Sequence, residues 1–322
     1  MVTLKNNDQL SLALQTQQVS QPVKDYRDLI SPFVRARRSA ATRRSYSCDL
    51  RDLVAMLGII DANGLLSVQV EDVLQFRTRL EERNLSAATI ARKLSSVRSF
   101  YEYCRQRGWL ERNPAHPRLV EPPATPNESG TPSISRAEVR RMIDATPRDT
   151  LLGKRDYAIL MLLAYHGLRR AELTALSASS FGHERGFTVL VILGKGSKVR
   201  RHTVKPQVKT AVEDYLVADE RELGEDCPLF LPVINNRTKD LFKPLGSDAV
   251  RNLVIRAAKR AGINRHITTH SLRRAAITAS LDGGASLRRV SYYSGHADPK
   301  TTCMYDSDRQ NLDDNAAQYV SY

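Results

Sequence analysis

The feature that most constrains the fold is a proline-rich segment at residues 114–133. It contains six prolines and one glycine, and few of its residues are apolar. Proline fixes its own backbone torsion and lacks an N–H, so helices and central strands do not continue through such a run. The segment is therefore predicted to be a stiff linker between a helical domain at 24–113 and a larger domain at 134–322. A polar stretch at 1–23, rich in Gln, Asn and Ser, is predicted to be a flexible tail.

The charge of the chain points to nucleic acid. It has 49 lysines and arginines against 35 aspartates and glutamates, which gives a formal net charge of +14. Such an excess favours nucleic acid over an acidic protein as the partner, although a basic solvated surface explains the charge alone nearly as well. The four cysteines are far apart and form no C-x-x-C, so reduced thiols in a cytoplasmic protein are expected. No signal peptide or apolar run of transmembrane length is present, and no membrane contact is expected.

Amphipathic patterns with the period of a helix run through residues 24–113. One helix is predicted, with Thr42 as its cap, from apolar residues at i, i+4, i+7 and i+11, namely Tyr46, Leu50, Leu53 and Leu57. Further helices are predicted at 70–83 and after Ser86. This part of the chain is therefore expected to be all helical.

The larger domain is predicted to be mainly helical with one small β element. Residues 157–165 are apolar on all sides, as in a fully buried helix. Residues 187–193 are β-branched and apolar, and they are followed by a glycine-rich turn and a return strand. This pattern predicts a β-hairpin with Lys195 at its tip. A helix is also predicted at 207–223.

Basic residues on the outer faces of several predicted helices are candidates for contacts with DNA. A helix at 248–261 is a candidate for the major groove, and two helices of the first domain can meet phosphates. For any one of these residues, an ordinary solvated helix face is at least as good an explanation. The candidates are Arg43, Arg44, Arg92, Lys93, Arg251 and Lys259.

A set of five side chains is chemically suited to attack on a phosphodiester. Arg169 and Arg273 can hold the non-bridging oxygens with forked, charge-assisted bonds. Tyr305 can attack the phosphorus, and the resulting phosphotyrosine keeps the bond energy, so the strand can be rejoined without ATP. Lys195 can give a proton to the leaving 5′ oxygen, and His270 can assist proton transfer from the tyrosine. No metal or other cofactor is required.

Each of these residues has a simpler explanation when it is taken alone. Arg169 and Arg273 can form surface salt bridges, Lys195 can fill a solvated turn, and His270 can cap its helix. Tyr305 is one of 12 tyrosines. The prediction therefore depends on the ordered set and its spacing.

The ordered set resembles the motifs of the tyrosine recombinases, the superfamily of phage integrases and Xer-like enzymes. The family's first box is similar to residues 167–173 (GLRRAEL), its hairpin lysine falls on Lys195, and its H-x-L-R box falls on residues 270–273. The Gly-His box falls on residues 295–296, and the nucleophile nine residues on is Tyr305. The resemblance implies catalytic roles for Arg169, Lys195, His270, Arg273, His296 and Tyr305, with Glu172 supporting Arg169. Arg274 departs from the pattern, because this position is often histidine.

The resemblance also implies a SAM-like core-binding domain at 24–113 and a catalytic domain at 134–322, closed on DNA as a C-shaped clamp. Four protomers would bind two recombination sites in double-stranded DNA and exchange strands through 3′-phosphotyrosine intermediates and a Holliday junction. The tail after Tyr305 would dock on a neighbouring protomer, and an accessory protein or partner recombinase can take part. Such a protein would be associated with the nucleoid. Two alternatives remain open: a type IB topoisomerase that relaxes DNA, and a non-catalytic DNA-binding protein of the same fold.

Overall fold

The structure is a computed structural model that describes residues 25–124, 133–194, 198–234 and 240–305. The chain divides into two compact units, Met1–Pro126 and Asn127–Tyr322. Several predictions fall outside the described residues: the N-terminal tail, part of the linker (125–132), the hairpin lysine Lys195 and the C-terminal tail (306–322).

The described part of the first unit is helical. Its helices are α1 (Tyr26–Arg35), α2 (Ala40–Leu57), α3 (Ala62–Leu66), α4 (Val70–Glu82) and α5 (Ala87–Gln106). The predicted cap of α2 is wrong by one turn, because the Ser39 hydroxyl accepts the N–H of Thr42 and the helix begins three residues earlier. The short α3 was not predicted, since five residues are too few to show a helical period.

The apolar faces of these helices meet in one core. Phe33 of α1 is fully buried, and its ring lies edge-on to Phe100 of α5 with centroids 5.4 Å apart. Trp109 borders this core through an edge contact with Tyr103 at 5.9 Å. Burying each large apolar side chain contributes about 2–3 kcal/mol, and this burial outweighs the weak intrinsic stability of isolated helices of this length.

A buried ion cluster also joins α2 to α5. Asp49 is 1% exposed and accepts from Ser96 Oγ at 2.7 Å, Arg92 Nη2 at 2.9 Å and Lys93 Nζ at 3.2 Å. The Lys93 ammonium is also paired with Asp52. The prediction that Lys93 lies on an outward helix face is therefore wrong, because its charge is satisfied by two carboxylates of α2.

In the second unit the described helices are α6 (Arg136–Asp144), α7 (Leu151–His166), α8 (Arg170–Thr174), α9 (Pro206–Ala218), α10 (Ser247–Arg260), α11 (Thr269–Asp282), α12 (Leu287–Ser294) and α13 (Pro299–Cys303). The central element is α7, which is buried along most of its length and packs against α9 and α11. The predicted helix at 207–223 is too long. It ends at Ala218, and the Arg221 side chain turns back to donate to the carbonyl of Pro228 at 2.7 Å.

The sheet has three antiparallel strands in the order β1 (Phe181–Glu184), β2 (Phe187–Leu193) and β3 (Val199–Thr203). Strands β2 and β3 form the predicted hairpin, in which Leu193 is opposite Val199. Strand β1 was not predicted. The expectation of a mainly helical protein with a small sheet is confirmed. None of the described helices is long and apolar enough to cross a membrane.

Candidate active site

The first predicted arginine lies where α7 ends and α8 begins. Gly167 has a left-handed φ of +54° and closes α7, and Arg169 immediately precedes α8. Glu172 accepts the backbone N–H of Arg169 at 2.9 Å and its Nη1 at 2.7 Å. One carboxylate therefore orders both the turn and the guanidinium. The Arg169 side chain remains 39% exposed, which leaves part of its donor fork open to a ligand.

The second predicted arginine, Arg273, is buried on α11. Its Nη1 donates to the carbonyl of Gly167 at 2.6 Å, and its Nη2 donates to the carbonyl of Ser294. Burial, and then the positive charge of Arg169, lower the pKa of Arg273 to about 10. Arg273 is therefore still charged at neutral pH, and the proximity of two like charges makes the site attractive to an anion.

The end of α12 supports both arginines. The carbonyl of Gly295 accepts Arg169 Nη2 at 2.9 Å, and the preceding carbonyl, that of Ser294, accepts Arg273. Gly295 has a φ of +63°, which closes the helix in a conformation that favours glycine. Two consecutive carbonyl groups thus hold the two guanidinium groups next to each other.

The two predicted histidines are close to these arginines. His270 precedes Arg273 by one helical turn and is exposed. Burial of part of its ring, and the charges of Arg273 and Arg169, lower the pKa of His270 below its ordinary value. Burial and the same two arginines lower the pKa of His296 to about 4. Both imidazoles are therefore mainly neutral at pH 7 and able to accept a proton.

Tyr305 follows α13, and its side chain is mostly buried. Its ring stacks on His296 with centroids 5.8 Å apart and an angle of 18° between the planes. It also packs in a cluster with Ile277 and Val290. The guanidinium of Arg274 lies 6.0 Å from the centre of the ring.

Tyr292 and Tyr293, two further tyrosines near this site, have different environments. Tyr292 is 55% exposed, and its hydroxyl accepts the N–H of Arg201 at 3.3 Å. The Tyr293 hydroxyl donates to the carbonyl of Tyr165 at 3.0 Å. The described geometry therefore brings together five of the six predicted catalytic residues, and Tyr305 is the tyrosine that lies against His296.

The sixth, Lys195, lies outside the described residues. Its preceding neighbour, Gly194, directly follows β2 and donates its N–H to the carbonyl of Lys198 at 2.8 Å. A Cβ added to Gly194 would lie 3.7 Å from Glu172 Oε1, so the base of the hairpin is adjacent to the carboxylate that holds Arg169.

Sequence reasoning missed two buried basic side chains of β3. Arg200 and His202 both point inward, as alternate residues of a strand do. The His202 ring stacks on Tyr293 at 4.7 Å, and its Nδ1 lies 3.4 Å from Nδ1 of His166. Burial lowers the pKa of His166 to about 3 and the pKa of His202 to about 4. No sequence signal marks them, because both faces of this strand are polar.

The predicted DNA-contact residues lie in different settings. Arg44, Arg251 and Lys259 are exposed. Arg43 Nη1 donates to the carbonyl of Arg37 at 2.8 Å. Arg92 and Lys93 belong to the ion cluster around Asp49 described above.

Two sequence families match the chain. The family described as "Phage integrase family" matches residues 132–311, and the family described as "Phage integrase, N-terminal SAM-like domain" matches residues 29–108. The two matches follow the same order along the chain as the two structural units.

Individual proteins match over most of the chain. The tyrosine recombinase XerC of Corynebacterium efficiens is 32% identical over 289 residues, covering 89% of this chain and 87% of that protein. The tyrosine recombinase XerD of Caulobacter vibrioides is 33% identical over 279 residues, covering 83% and 86% respectively. A crystal structure of the XerH site-specific recombinase bound to a palindromic difH substrate shares the fold, with a TM-score of 0.71 and 19% identity over 90% of this chain and 83% of that one.

Proposed function

The chain belongs to the phage integrase family, and we propose that it is a site-specific DNA recombinase that breaks and rejoins strands through Tyr305. One observation carries the proposal. Ser294 and Gly295 hold Arg273 and Arg169, and the next residue, His296, stacks on Tyr305. The two guanidinium groups that can bind a phosphate and the tyrosine that can attack it are thus held by one turn of the chain.

The two arginines would bind the scissile phosphate. Attack on a phosphodiester adds charge to its non-bridging oxygens, and fixed cationic donors stabilise that charge in the transition state. Arg273 is fixed by two carbonyls and Arg169 by Glu172 and Gly295. Neither guanidinium therefore needs to reorganise during the reaction.

The chemical step joins Tyr305 to DNA. The phenol oxygen bonds to phosphorus, the bond from phosphorus to the 5′ oxygen breaks, and the strand carries a 3′-phosphotyrosine opposite a free 5′-hydroxyl. A base must accept the phenol proton of Tyr305 as its oxygen attacks. His270 and His296 are suited to that role because burial, and then the charges of the two arginines, keep them neutral. Lys195 would return a proton to the leaving 5′ oxygen. The proposed reaction steps require no metal or cofactor.

The whole reaction would need more than one copy. We propose a homotetramer on two double-stranded sites, strand exchange through a Holliday junction, and docking of residues 306–322 on a neighbouring protomer. A partner recombinase or accessory protein is compatible with this arrangement. The regions 24–113 and 134–322 would be the core-binding and catalytic domains, as the ranges of the two family matches support. We expect the protein to be associated with the nucleoid, where its substrate is.

Contacts with DNA would come from exposed basic residues. Arg44 of α2 and Arg251 and Lys259 of α10 are the best candidates, because their side chains are exposed, whereas the exposed Arg92 is already paired with Asp49. Lys93 is excluded from this set, since contact with a phosphate would require it to leave Asp49 and Asp52.

Covalent capture tests the proposal. Nicked duplexes with randomised cores are incubated with the protein and denatured, and the DNA that remains attached to protein is amplified and selected again. We expect a recovered site to give a covalent band with the wild-type protein and none with Tyr305→Phe, while both proteins shift the same duplex. A band of equal intensity with Tyr305→Phe would refute the assignment of the nucleophile.

The same duplex separates the alternative functions. Arg273→Ala should lower cleavage by about 100- to 1,000-fold and leave binding within about 3-fold, because a fixed donor acts mainly in the transition state. Relaxation of a supercoiled plasmid without joining of two selected duplexes would indicate a topoisomerase. Binding without any covalent band would indicate a non-catalytic DNA-binding protein.

A further inference from the structure

Arg200 is a buried cation behind the two predicted phosphate-binding arginines. It lies on β3 opposite Ile192 of β2, and only 6% of its side chain is exposed. Its guanidinium is engaged by groups of the protein, a carboxylate and a backbone carbonyl. Its role must therefore be sought in the protein groups that it contacts.

The first of these groups is Glu172. Arg200 Nη2 lies 2.8 Å from Glu172 Oε1, and the same oxygen accepts Arg169 Nη1 at 2.7 Å. The N–H directions of Nη2 do not point at a hydrogen-bond acceptor, so the contact is a close ion pair without an aligned hydrogen bond. One carboxylate oxygen therefore lies between two arginines, one exposed to the site and the other buried behind it.

The second group is the end of α12. Arg200 Nη1 donates to the carbonyl of Tyr293 at 2.7 Å. A Cβ built on Gly295 would lie 2.7 Å from Arg200 Nη1 and 2.8 Å from its Cζ, closer than any side chain can approach. The backbone of Gly295 thus rests on the guanidinium. This is the segment whose carbonyls hold Arg169 and Arg273.

We infer that Arg200 is a positioning residue that sets Arg169 and Arg273 for the scissile phosphate, through Glu172 on one side and the 293–295 segment on the other. The inference rests on the proposed function. It requires the positive charge of Arg200, which is opposite to that of Glu172. It also requires the planar guanidinium group, which supports Gly295 and reaches the carbonyl of Tyr293. A lysine would keep the charge and lose the planar guanidinium group.

Arg201 offers a matched control on the same strand. Its side chain is 55% exposed, and its Nε is paired with Glu184 at the surface, 3.0 Å away. Arg201→Gln removes the same charge from the protein as Arg200→Gln without touching Glu172 or Gly295. The difference between the two variants therefore isolates the buried contacts of Arg200.

The test uses the duplex selected by covalent capture, in two forms. One has an ordinary scissile phosphate, and the other has a methylphosphonate there, in which a methyl group replaces one non-bridging oxygen and removes the negative charge. On the ordinary duplex, we expect Arg200→Gln to cleave about 10- to 100-fold more slowly than wild type, less than the loss for a direct donor. Its binding should stay within about 3-fold of wild type, and Arg201→Gln should match wild type in both.

The methylphosphonate separates positioning from general damage to the fold. Misplaced arginines matter most when the phosphate carries charge, so the penalty of Arg200→Gln should shrink by about 10-fold on the neutral linkage. A penalty of the same size on both linkages would overturn the inference, as would equal cleavage by Arg200→Gln and Arg201→Gln. Arg200→Lys should be as slow as Arg200→Gln within about 3-fold, and full activity would assign the effect to charge alone and also overturn it.

Three outcomes remain distinguishable. If Arg200→Gln does not fold, as judged by circular dichroism and by loss of the mobility shift, Arg200→Lys is compared on the same two linkages and the same criterion applies. If the wild-type protein forms no Tyr305-dependent adduct, the proposed function fails, and the inference about Arg200 fails with it. If the wild type cleaves and Arg200→Gln cleaves equally well, only the inference about Arg200 fails.

Discussion

Replacing Asp49 by alanine is expected to destabilise the first unit by about 3–5 kcal/mol, because it breaks a buried ion pair and leaves the buried Lys93 ammonium with only the part-exposed Asp52 as a partner. Asp49 accepts from Arg92, Lys93 and Ser96, and it is almost completely buried. Without it, the Arg92 guanidinium can turn to water. The Lys93 ammonium cannot do so as easily, since only 8% of that side chain is exposed.

A second aspartate provides the control. Asp52 also pairs with Lys93, but 37% of its side chain is exposed, so solvent screens the pair. Asp52→Ala leaves Lys93 with Asp49 as a buried partner and should cost only about 1 kcal/mol. The two variants therefore differ in the predicted loss of free energy of unfolding because the two aspartates differ in burial.

The assay uses the intrinsic fluorescence of the full-length protein in urea. The sequence contains one tryptophan, Trp109, and it borders the core of the first unit, so the signal reports that unit. With a urea m-value of about 1.5 kcal/mol per molar, a loss of about 4 kcal/mol lowers the midpoint by about 2.5 M. A shift below about 0.5 M for Asp49→Ala, or equal shifts for both variants, would show that the cluster does not stabilise the unit as argued.

Two further predictions concern the second unit. Gly295→Ala should abolish Tyr305-dependent cleavage while the duplex is still bound. Alanine is strained at a φ of +63°, and its Cβ would collide with Arg200. Cleavage at the wild-type rate would contradict this contact. Burial keeps the folded-state pKa of His166 at about 3 and that of His202 at about 4, below the ordinary 6.5. The unfolded chain therefore binds protons more readily, so thermal stability is full above about pH 6.5 and falls as the pH decreases, by up to about 1.4 kcal/mol per pH unit for each histidine. In His166→Phe, the melting temperature should fall less steeply between pH 7 and pH 4.5 than in the wild type. An unchanged dependence of the melting temperature on pH would count against this role of His166.

Local patterns allowed much of the fold to be predicted. The stripe of Tyr46, Leu50, Leu53 and Leu57 is read from spacing alone, and α2 spans it. The hairpin of β2 and β3 follows from apolar β-branched residues before a glycine-rich turn. The order and spacing of the boxes around Arg169 and Arg273 led to residues that share the carbonyls at the end of α12.

The parts that were missed depend on partners distant in the sequence. Lys93 is next to the apolar stripe of α5, and only the position of Asp49, 44 residues earlier, explains why it can be buried. Arg200 lies among polar residues, so the strand's alternation gives no sign of which face is inward. Its partner Glu172 belongs to another element. Pairings of this kind require the fold to be known first.

The contacts of the Tyr305 side chain determine how easily another protein could change its position. Besides its stack on His296, it is held through Thr302, which bonds to His296 Nδ1 at 3.0 Å and to Ser291 Oγ at 2.7 Å. The stack contributes about 1 kcal/mol and burial of the ring against Ile277 and Val290 contributes about 2–3 kcal/mol, which corresponds to a displaced population of roughly one molecule in 400. A contact that favours the displaced tyrosine by about 7 kcal/mol would reverse that ratio. The free energy of an interface with another protein is therefore enough to move Tyr305 into or out of its position beside His296.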